Sequence, residues 1–224
     1  MNWFTNLFSS SLGRKLLMAL TGLFLISFLA VHLAGNLQLL KDDGGQAFNI
    51  YSQFMGHNPV IQTISKVNFA LIFMHIIWAI IISRQNRAAR GQSYAISNKS
   101  SHWTSRNMGI LGTIVLIFLV VHLRHFYAEL HWGSDVPKVV YDGKEMADAY
   151  KLVSIWFAKE WYAGLYVVCM IGLAFHLWHG FSSAFQTLGL NHVKYNPVIN
   201  FVGRAFAIIV PALFALIPIV MFLK

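Results

Sequence analysis

Five long apolar stretches, none of which contains aspartate or glutamate, constrain this sequence more than any other feature. They cover residues 16–40, 67–83, 107–127, 161–188 and 203–223. A helix needs about 20 mostly apolar residues to cross a bilayer. Charged residues make up only 11% of the chain, against about 25% in soluble domains. We therefore expect a single all-α membrane domain over residues 1–224, built from five transmembrane helices, and exclude a soluble enzyme.

Basic and acidic residues lie at opposite ends of these stretches. All eight acids lie in or beside the first and third connections, whereas the second and fourth connections contain Lys and Arg without any acid. Lys and Arg of short loops tend to stay on the cytoplasmic side. The pattern predicts that the N-terminus is inside and the C-terminus outside. Because the basic residues border apolar runs and form no separate basic domain, we expect contact with membrane lipid and no nucleic-acid partner.

Histidines are the main chemical signal in this apolar chain. Six of the ten lie within or at the edges of the apolar stretches. They are His32, His75, His122, His125, His176 and His179. An ionisable side chain inside a membrane indicates a functional site, although an interhelical hydrogen bond is an alternative use of a single membrane histidine. Four different stretches carry at least one histidine, which favours a shared function.

The depth of these histidines predicts two pairs. Counted at about 1.5 Å per residue from the flanking cations, His32 and His122 both lie about 25 Å from the inner edge of the membrane. His75 lies about 14 Å from that edge, and either His176 or His179 lies about 15–20 Å from it. We therefore expect one pair near the outer face and a second pair about 10 Å further inward.

The spacing alone does not choose between His122 and His125 in the third stretch, or between His176 and His179 in the fourth.

The residue types available inside the stretches restrict the kind of metal site. Carboxylates are absent from the stretches, and Cys169 is the only cysteine, which excludes a carboxylate metal cage and an iron–sulfur cluster. Haem needs only two axial imidazoles, and the chain has no C-x-x-C-H motif for covalent attachment. The sequence predicts two b-type haems. In each, two histidines occupy both axial positions of the iron, so the haem transfers electrons.

Four segments around these histidines resemble a known family. They read FLAVHLAGN around His32, LIFMHIIWA around His75, LIFLVVHLRHFY around His122 and AFHLWHGFSSAF around His176. These segments, and AFNIYSQFMGHNP between the first two stretches, resemble the cytochrome b membrane anchor of succinate:quinone oxidoreductases and fumarate reductases, or complex II. The similarity is to the single-chain type with five helices and two haems.

The resemblance implies a role for each histidine. His32 and His122 would bind the iron of the outer, distal haem, and His75 and His176 would bind the iron of the inner, proximal haem. It thereby selects His122 and His176 from their i,i+3 neighbours. We expect these neighbours, His125 and His179, to lie around the ligands or to contact the haem propionates.

The resemblance also implies partners and a place in the cell. A flavoprotein subunit and an iron–sulfur subunit would bind the inner face of a bacterial cytoplasmic membrane. Electrons would pass between succinate or fumarate and a membrane quinone, usually menaquinone in this type. The chain would be one subunit of an oxidoreductase and would itself supply only electron transfer and quinone binding.

Two further sites follow as hypotheses. Some family members have an acid near the quinone in the first connection, where this chain has Gly56 and His57, so we expect His57, Gln53 or Asn58 to handle the quinone. Arg124 is the expected cationic partner of the distal haem propionates. Some members also have a proton-conducting glutamate two residues before the fourth ligand. This chain has Ala174 there, so that route is not expected.

Two other functions are compatible with parts of the pattern. One is the five-helix, two-haem subunit of a nitrate reductase or hydrogenase, although such subunits group their ligands on fewer helices. The other is a transporter without haem, in which histidines relay protons. The absence of carboxylates in the apolar stretches disfavours the transporter, because proton and cation carriers usually have them.

Overall fold

The computed structural model describes residues 7–89 and 103–224 of the chain. It is 83% helical, and five of its helices are long and apolar enough to cross a membrane. The expectation of five such helices is thereby confirmed by length and composition, and the chain is a multi-pass membrane protein. The helices are α1 (Ser11–Asn36), α2 (Gln46–His57), α3 (Pro59–Ala89), α4 (Trp103–Arg106), α5 (Met108–His122), α6 (Ala128–Trp132), α7 (Ala149–Phe157), α8 (Glu160–Thr187) and α9 (Asn196–Leu223).

Three spans begin earlier than their hydropathy predicts. The first was expected to start at residue 16, but α1 starts at Ser11, where the Ser10 side chain accepts from the backbone N–H of Gly13 at 3.0 Å. The second was expected to start at residue 67, but α3 starts at Pro59, where the Asn58 side chain accepts backbone N–H bonds from Val60 and Ile61 at 3.0 and 3.2 Å. Such a cap satisfies N–H groups that a helix start leaves unpaired. The fifth was expected from residue 203, but α9 starts at Asn196 with a proline in its first turn. Local capping chemistry, rather than apolarity, sets these helix starts.

The third span is continuous but changes its winding. Between α5 and α6 the backbone forms a π-helical turn over Leu123–Tyr127, in which the N–H of Ala128 bonds to the carbonyl of Leu123. The membrane-spanning segment therefore extends from Met108 to Trp132, five residues past the expected end at residue 127. Single π turns inside helices are frequent at functional sites.

The third connection contains a β-hairpin, within a fold that is otherwise compatible with the expected all-α membrane bundle. Strand β1 (Lys138–Tyr141) pairs antiparallel with β2 (Lys144–Ala147). Asp142 and Gly143 join the strands with φ angles of 50° and 73°, as a tight hairpin turn requires. Helix α7 follows the hairpin, and the Asp148 side chain caps its start by accepting from the backbone N–H of Lys151 at 2.9 Å.

Helix α8 lies at the centre of the bundle and packs along α9, α5 and α1, whereas α3 packs along α1 and α2. The end where α1 finishes and α8 begins carries the β-hairpin, and we call it the hairpin end. The other, where α3 and α8 finish, is the opposite end. Large apolar side chains such as Phe73 and Phe201 remain 65% and 73% exposed on the outer surface of the bundle, as lipid contact requires.

The connections at the hairpin end are fastened to one another. Asn49 of α2 is completely buried and donates to Asp148 at 2.9 Å, while its carbonyl oxygen accepts from the backbone of Tyr150 at 2.8 Å. At the start of α2, the Asp43 carboxylate accepts from the backbone N–H groups of Ala47 and Gly45, which holds its pKa below the usual range. These contacts fix the cap that covers the ends of α1 and α8.

Candidate functional site

Helices α1 and α5 carry the same short sequence pattern. GLFLISFLAVHL starts at Gly22 and GTIVLIFLVVHL starts at Gly112. Aligned without gaps, six of their twelve residues are identical, including the first glycine, a phenylalanine and the histidines His32 and His122. Each helix therefore places a glycine ten residues before a histidine. The structure gives these equivalent residues equivalent surroundings.

The two equivalent histidines meet near the hairpin end. The ring centroids of His32 and His122 are 5.8 Å apart, and the ring planes stand at 88°. The repeated phenylalanine of each helix stacks on the histidine of that helix, Phe28 on His32 at 5.1 Å and Phe118 on His122 at 5.6 Å. Phe214 of α9 also contacts the His32 ring, so aromatic side chains enclose this pair. We call His32 and His122 the hairpin-end pair.

The other two candidates lie near the middle of α3 and α8. We call His75 and His176 the mid-bundle pair, because each ring lies level with a glycine of the repeated pattern. Each one faces the glycine of the preceding membrane helix. A methyl group placed on Gly22 would lie 3.4 Å from Cε1 of His75, and one placed on Gly112 would lie 3.8 Å from Cε1 of His176. The arrangement of α1 with α3 is thus repeated by α5 with α8.

The repeated helices also set the distance between the two pairs. On α1, Gly22 marks the level of His75 and lies ten residues before His32. On α5, Gly112 marks the level of His176 and lies ten residues before His122. Ten residues of helix rise about 15 Å. Both helices therefore separate the pairs by about 15 Å along the bundle, more than the 10 Å counted from the flanking cations.

A hydroxyl group fixes the orientation of His75. Thr21 is 4% exposed, and its Oγ1 lies 3.0 Å from Nδ1 of His75. The Thr21 hydroxyl also lies 2.9 Å from the carbonyl of Leu17, and when it donates there its oxygen accepts the His75 N–H. This arrangement leaves Nε2 of His75 with a free lone pair, which is the form of histidine that binds a metal.

His176 has no equivalent of Thr21. The corresponding position on α5, before Gly112, is occupied by Leu111, which cannot form a hydrogen bond. Nδ1 of His176 is buried without a hydrogen-bond partner in the described part of the chain. The two other buried side-chain atoms in this state, Asn68 Oδ1 and Trp78 Nε1, both belong to α3. Buried polar atoms normally have a partner, so these three atoms are exceptions within the described part of the chain.

His125 has a different environment from the four paired histidines. Its ring stacks on Trp156 at a centroid distance of 3.8 Å, and its Nδ1 lies 3.2 Å from the hydroxyl of Tyr162. The Tyr162 hydroxyl lies 3.1 Å from that of Tyr166, which in turn lies 3.2 Å from Nδ1 of His122. The structure therefore links the i and i+3 histidines of the third span through two tyrosines of α8. His179, the other neighbour, follows His176 by three residues on α8.

Arg124 lies at the hairpin end, where it pairs with the carboxylate of Glu129. It also lines a shallow, mostly apolar cleft of about 370 Å³ between α3 and the π-helical turn, together with Phe69, Tyr127 and Trp132. Its guanidinium is thus close to a hydrophobic opening between α3 and the π-helical turn. Nothing in the described residues shows it directed at the hairpin-end pair, so its role as a propionate partner stays a prediction.

The expected quinone residues form mainly local bonds. His57 is exposed at the end of α2, with Nδ1 2.9 Å from the carbonyl oxygen of Gln53. Asn58 caps α3, and Gln53 is half-buried on α2. The structure keeps these three residues together at the hairpin end, at the junction of α2 and α3. It gives His57 a local bond at the end of α2 and makes Asn58 the cap of α3.

Thr21, Tyr162 and Tyr166 were missed by the sequence reasoning. Each left a signal. Thr21 directly precedes the first repeated glycine, and the tyrosines are spaced i,i+4 in the half of the fourth span that faces the i,i+3 histidines of the third.

Within the described residues, no three His, Cys, Asp or Glu side chains converge on one point, so each histidine pair offers two ligands. No family model, curated protein or solved structure matches this chain.

Proposed function

We propose that the chain is a membrane electron carrier that holds two b-type haems, one at each histidine pair. The observation that carries the proposal is that four histidines from four membrane helices lie in two pairs, at levels about 15 Å apart. Two imidazoles that bind one iron through bonds of about 2 Å have ring centroids about 6 Å apart. The 5.8 Å separation of His32 and His122 fits this geometry.

The mid-bundle pair fits a cofactor for a different reason. His75 presents a free Nε2, and His176 has a buried nitrogen without a partner in the described chain. Gly22 faces the His75 ring and Gly112 faces the His176 ring. Haem would supply reversible one-electron oxidation of iron at each level. The protein holds the imidazoles, orients them by hydrogen bonds, and excludes water from the hairpin-end pair with Phe28, Phe118 and Phe214.

The more specific proposal is that this carrier is the cytochrome b anchor of a complex II. Its support is the resemblance of the four histidine segments, in order along the chain. The opposite end would face the cytoplasm and bind the iron–sulfur and flavoprotein subunits, and all eight acids lie at or beside the hairpin end, on the other face. Electrons would pass through the mid-bundle haem, then the hairpin-end haem, and then to a menaquinone-like quinone, or in the reverse direction.

A reduced-minus-oxidised absorption spectrum of the purified protein tests the cofactor. We expect two b-type haems per chain, whereas a protein without haem would refute the proposal and favour a transporter. Co-purification then tests the partners. A flavoprotein with succinate or fumarate activity supports the complex II assignment, and a nitrate reductase or hydrogenase subunit would replace it.

The quinone site can be tested with a matched pair of exposed histidines. His57 and His131 both lie near the hairpin end, and each has Nδ1 2.9 Å from a backbone carbonyl four residues earlier. We expect His57→Ala to slow quinone-linked turnover while His131→Ala does not. Unchanged turnover in His57→Ala would remove His57 from the site.

A further inference from the structure

The path from His122 to His125 through Tyr166 and Tyr162 is made of three successive contacts of 3.2, 3.1 and 3.2 Å. Tyr162 is completely buried and Tyr166 is 5% exposed, so water does not compete for their hydroxyl groups. At the far end, the His125 ring is held by stacking on Trp156. The four side chains therefore form an ordered polar chain inside an aromatic environment.

The chemistry of the hydroxyl groups gives this chain a direction. If His122 binds iron through Nε2, its Nδ1 carries the hydrogen and donates to the oxygen of Tyr166. Tyr166 has one hydrogen and donates it to Tyr162, and Tyr162 donates its own hydrogen to Nδ1 of His125. Each of the four side chains then has a hydrogen-bond partner, and each hydrogen bond is donated in the direction away from the iron.

We propose that Tyr166, supported by Tyr162 and His125, is a positioning residue that holds His122 in its iron-binding orientation and sets its strength as a ligand. This inference rests on the proposed haem at the hairpin-end pair. Donation from the second nitrogen of a ligating histidine makes that histidine more basic. Hydrogen bonds in series strengthen one another, so the Tyr162 hydroxyl acts on His122 without touching it.

The mid-bundle pair provides an internal comparison. His75 donates to the single hydroxyl of Thr21, and Nδ1 of His176 has no partner in the described chain. Neither ring takes part in the tyrosine chain. A change in Tyr162 or Tyr166 is therefore expected to affect one haem and leave the other unchanged.

The experiment is a redox titration of both haems, followed by absorption, in the complex carrying Tyr166→Phe or Tyr162→Phe. Each variant removes one hydroxyl and keeps the ring. A less basic His122 stabilises oxidised iron less, so we expect the potential of the hairpin-end haem to shift upward in both variants. Tyr127→Phe, at the same end of the bundle but outside the chain, serves as the matched control and should leave both potentials unchanged.

Tyr162→Phe decides the proposal, because Tyr162 does not contact His122 and a purely structural role of Tyr166 would not respond to it. An unchanged hairpin-end potential in Tyr162→Phe overturns the proposal, even if Tyr166→Phe loses that haem altogether. Equal shifts of both haems would overturn it as well. Absence of haem from the unmodified protein would instead refute the proposed function, so the two failures are distinguishable.

Discussion

The hairpin-end pair and the mid-bundle pair share a plan but differ in their surroundings. In both, one histidine comes from the α1–α3 half of the bundle and its equivalent comes from the α5–α8 half. The hairpin-end pair is enclosed by aromatic rings and connected to two buried tyrosines. The mid-bundle pair is bordered by glycines and has one hydroxyl group for two imidazoles. The repeated pattern thus sets the positions of the histidines. The residues that differ between the two halves set the contacts and hydrogen-bond partners of each imidazole.

The largest expected effect comes from removing a ligand. His32→Ala should abolish haem binding at the hairpin-end pair and leave the mid-bundle haem, because the pairs lie about 15 Å apart on independent ligands. His75→Ala should do the reverse. Haem content per chain, with a spectrum of the remaining haem, measures both. His179→Ala is the control for the i,i+3 choice and should retain both haems, while loss of haem there would transfer the ligand role from His176.

A smaller effect is expected when the one hydroxyl of the mid-bundle pair is removed. Thr21→Val leaves the buried His75 N–H without its acceptor, which costs about 1–3 kcal/mol. Loss of such a partner lowers metal affinity by about 10–100-fold, so haem affinity at the mid-bundle pair should fall within that range. Thr113→Val is the matched control, since that hydroxyl is exposed and, within the described residues, bonds only to the Gly109 carbonyl. Equal haem loss in both variants would contradict the role of Thr21.

A substitution can introduce into α5 the hydroxyl group that Thr21 provides on α1. Leu111 stands where Thr21 stands in the first half, so Leu111→Thr should offer an acceptor to the buried Nδ1 of His176. Leu111→Val has nearly the same shape without the hydroxyl and is the appropriate reference. We expect the threonine variant to be more stable than the valine variant by about 0.5–1.5 kcal/mol in thermal or denaturant unfolding. A more stable valine variant would show that the two halves are not equivalent at this position.

The smallest effect concerns the repeated glycines. Methyl groups at Gly22 and Gly112 would lie 3.4 and 3.8 Å from the histidine rings, both at ordinary contact distance. In the haem-free protein, Gly22→Ala and Gly112→Ala should each change stability by no more than about 1 kcal/mol, with Gly22→Ala the less favourable. Gly164→Ala, where a methyl group meets nothing within 4 Å, gives the reference for helix propensity alone. A large loss at Gly112 alone would break the proposed equivalence.

The sequence predicts the helices of this protein better than the polar contacts between them. Long runs without acids identify the five spans, because the bilayer tolerates few other solutions. Depth counting brings His32 level with His122, since both follow a cationic boundary by nearly the same number of residues. The contact of Thr21 with His75 depends on how α1 and α3 face each other, which hydropathy does not encode. The Asp142-Gly143 hairpin could have been predicted from its turn residues and β-prone neighbours.

The π-helical turn over Leu123–Tyr127 has a consequence for chain length. Such a turn accommodates one residue more than the surrounding α-helix, so deleting Arg124 or Phe126 would restore regular winding, keep the flanking helical segments in place and turn the residues between them. His125 would then leave the Tyr162 hydroxyl, although every side chain of the path to His122 would still be present. The number of residues between His122 and Ala128 is therefore as much a part of this site as their identity.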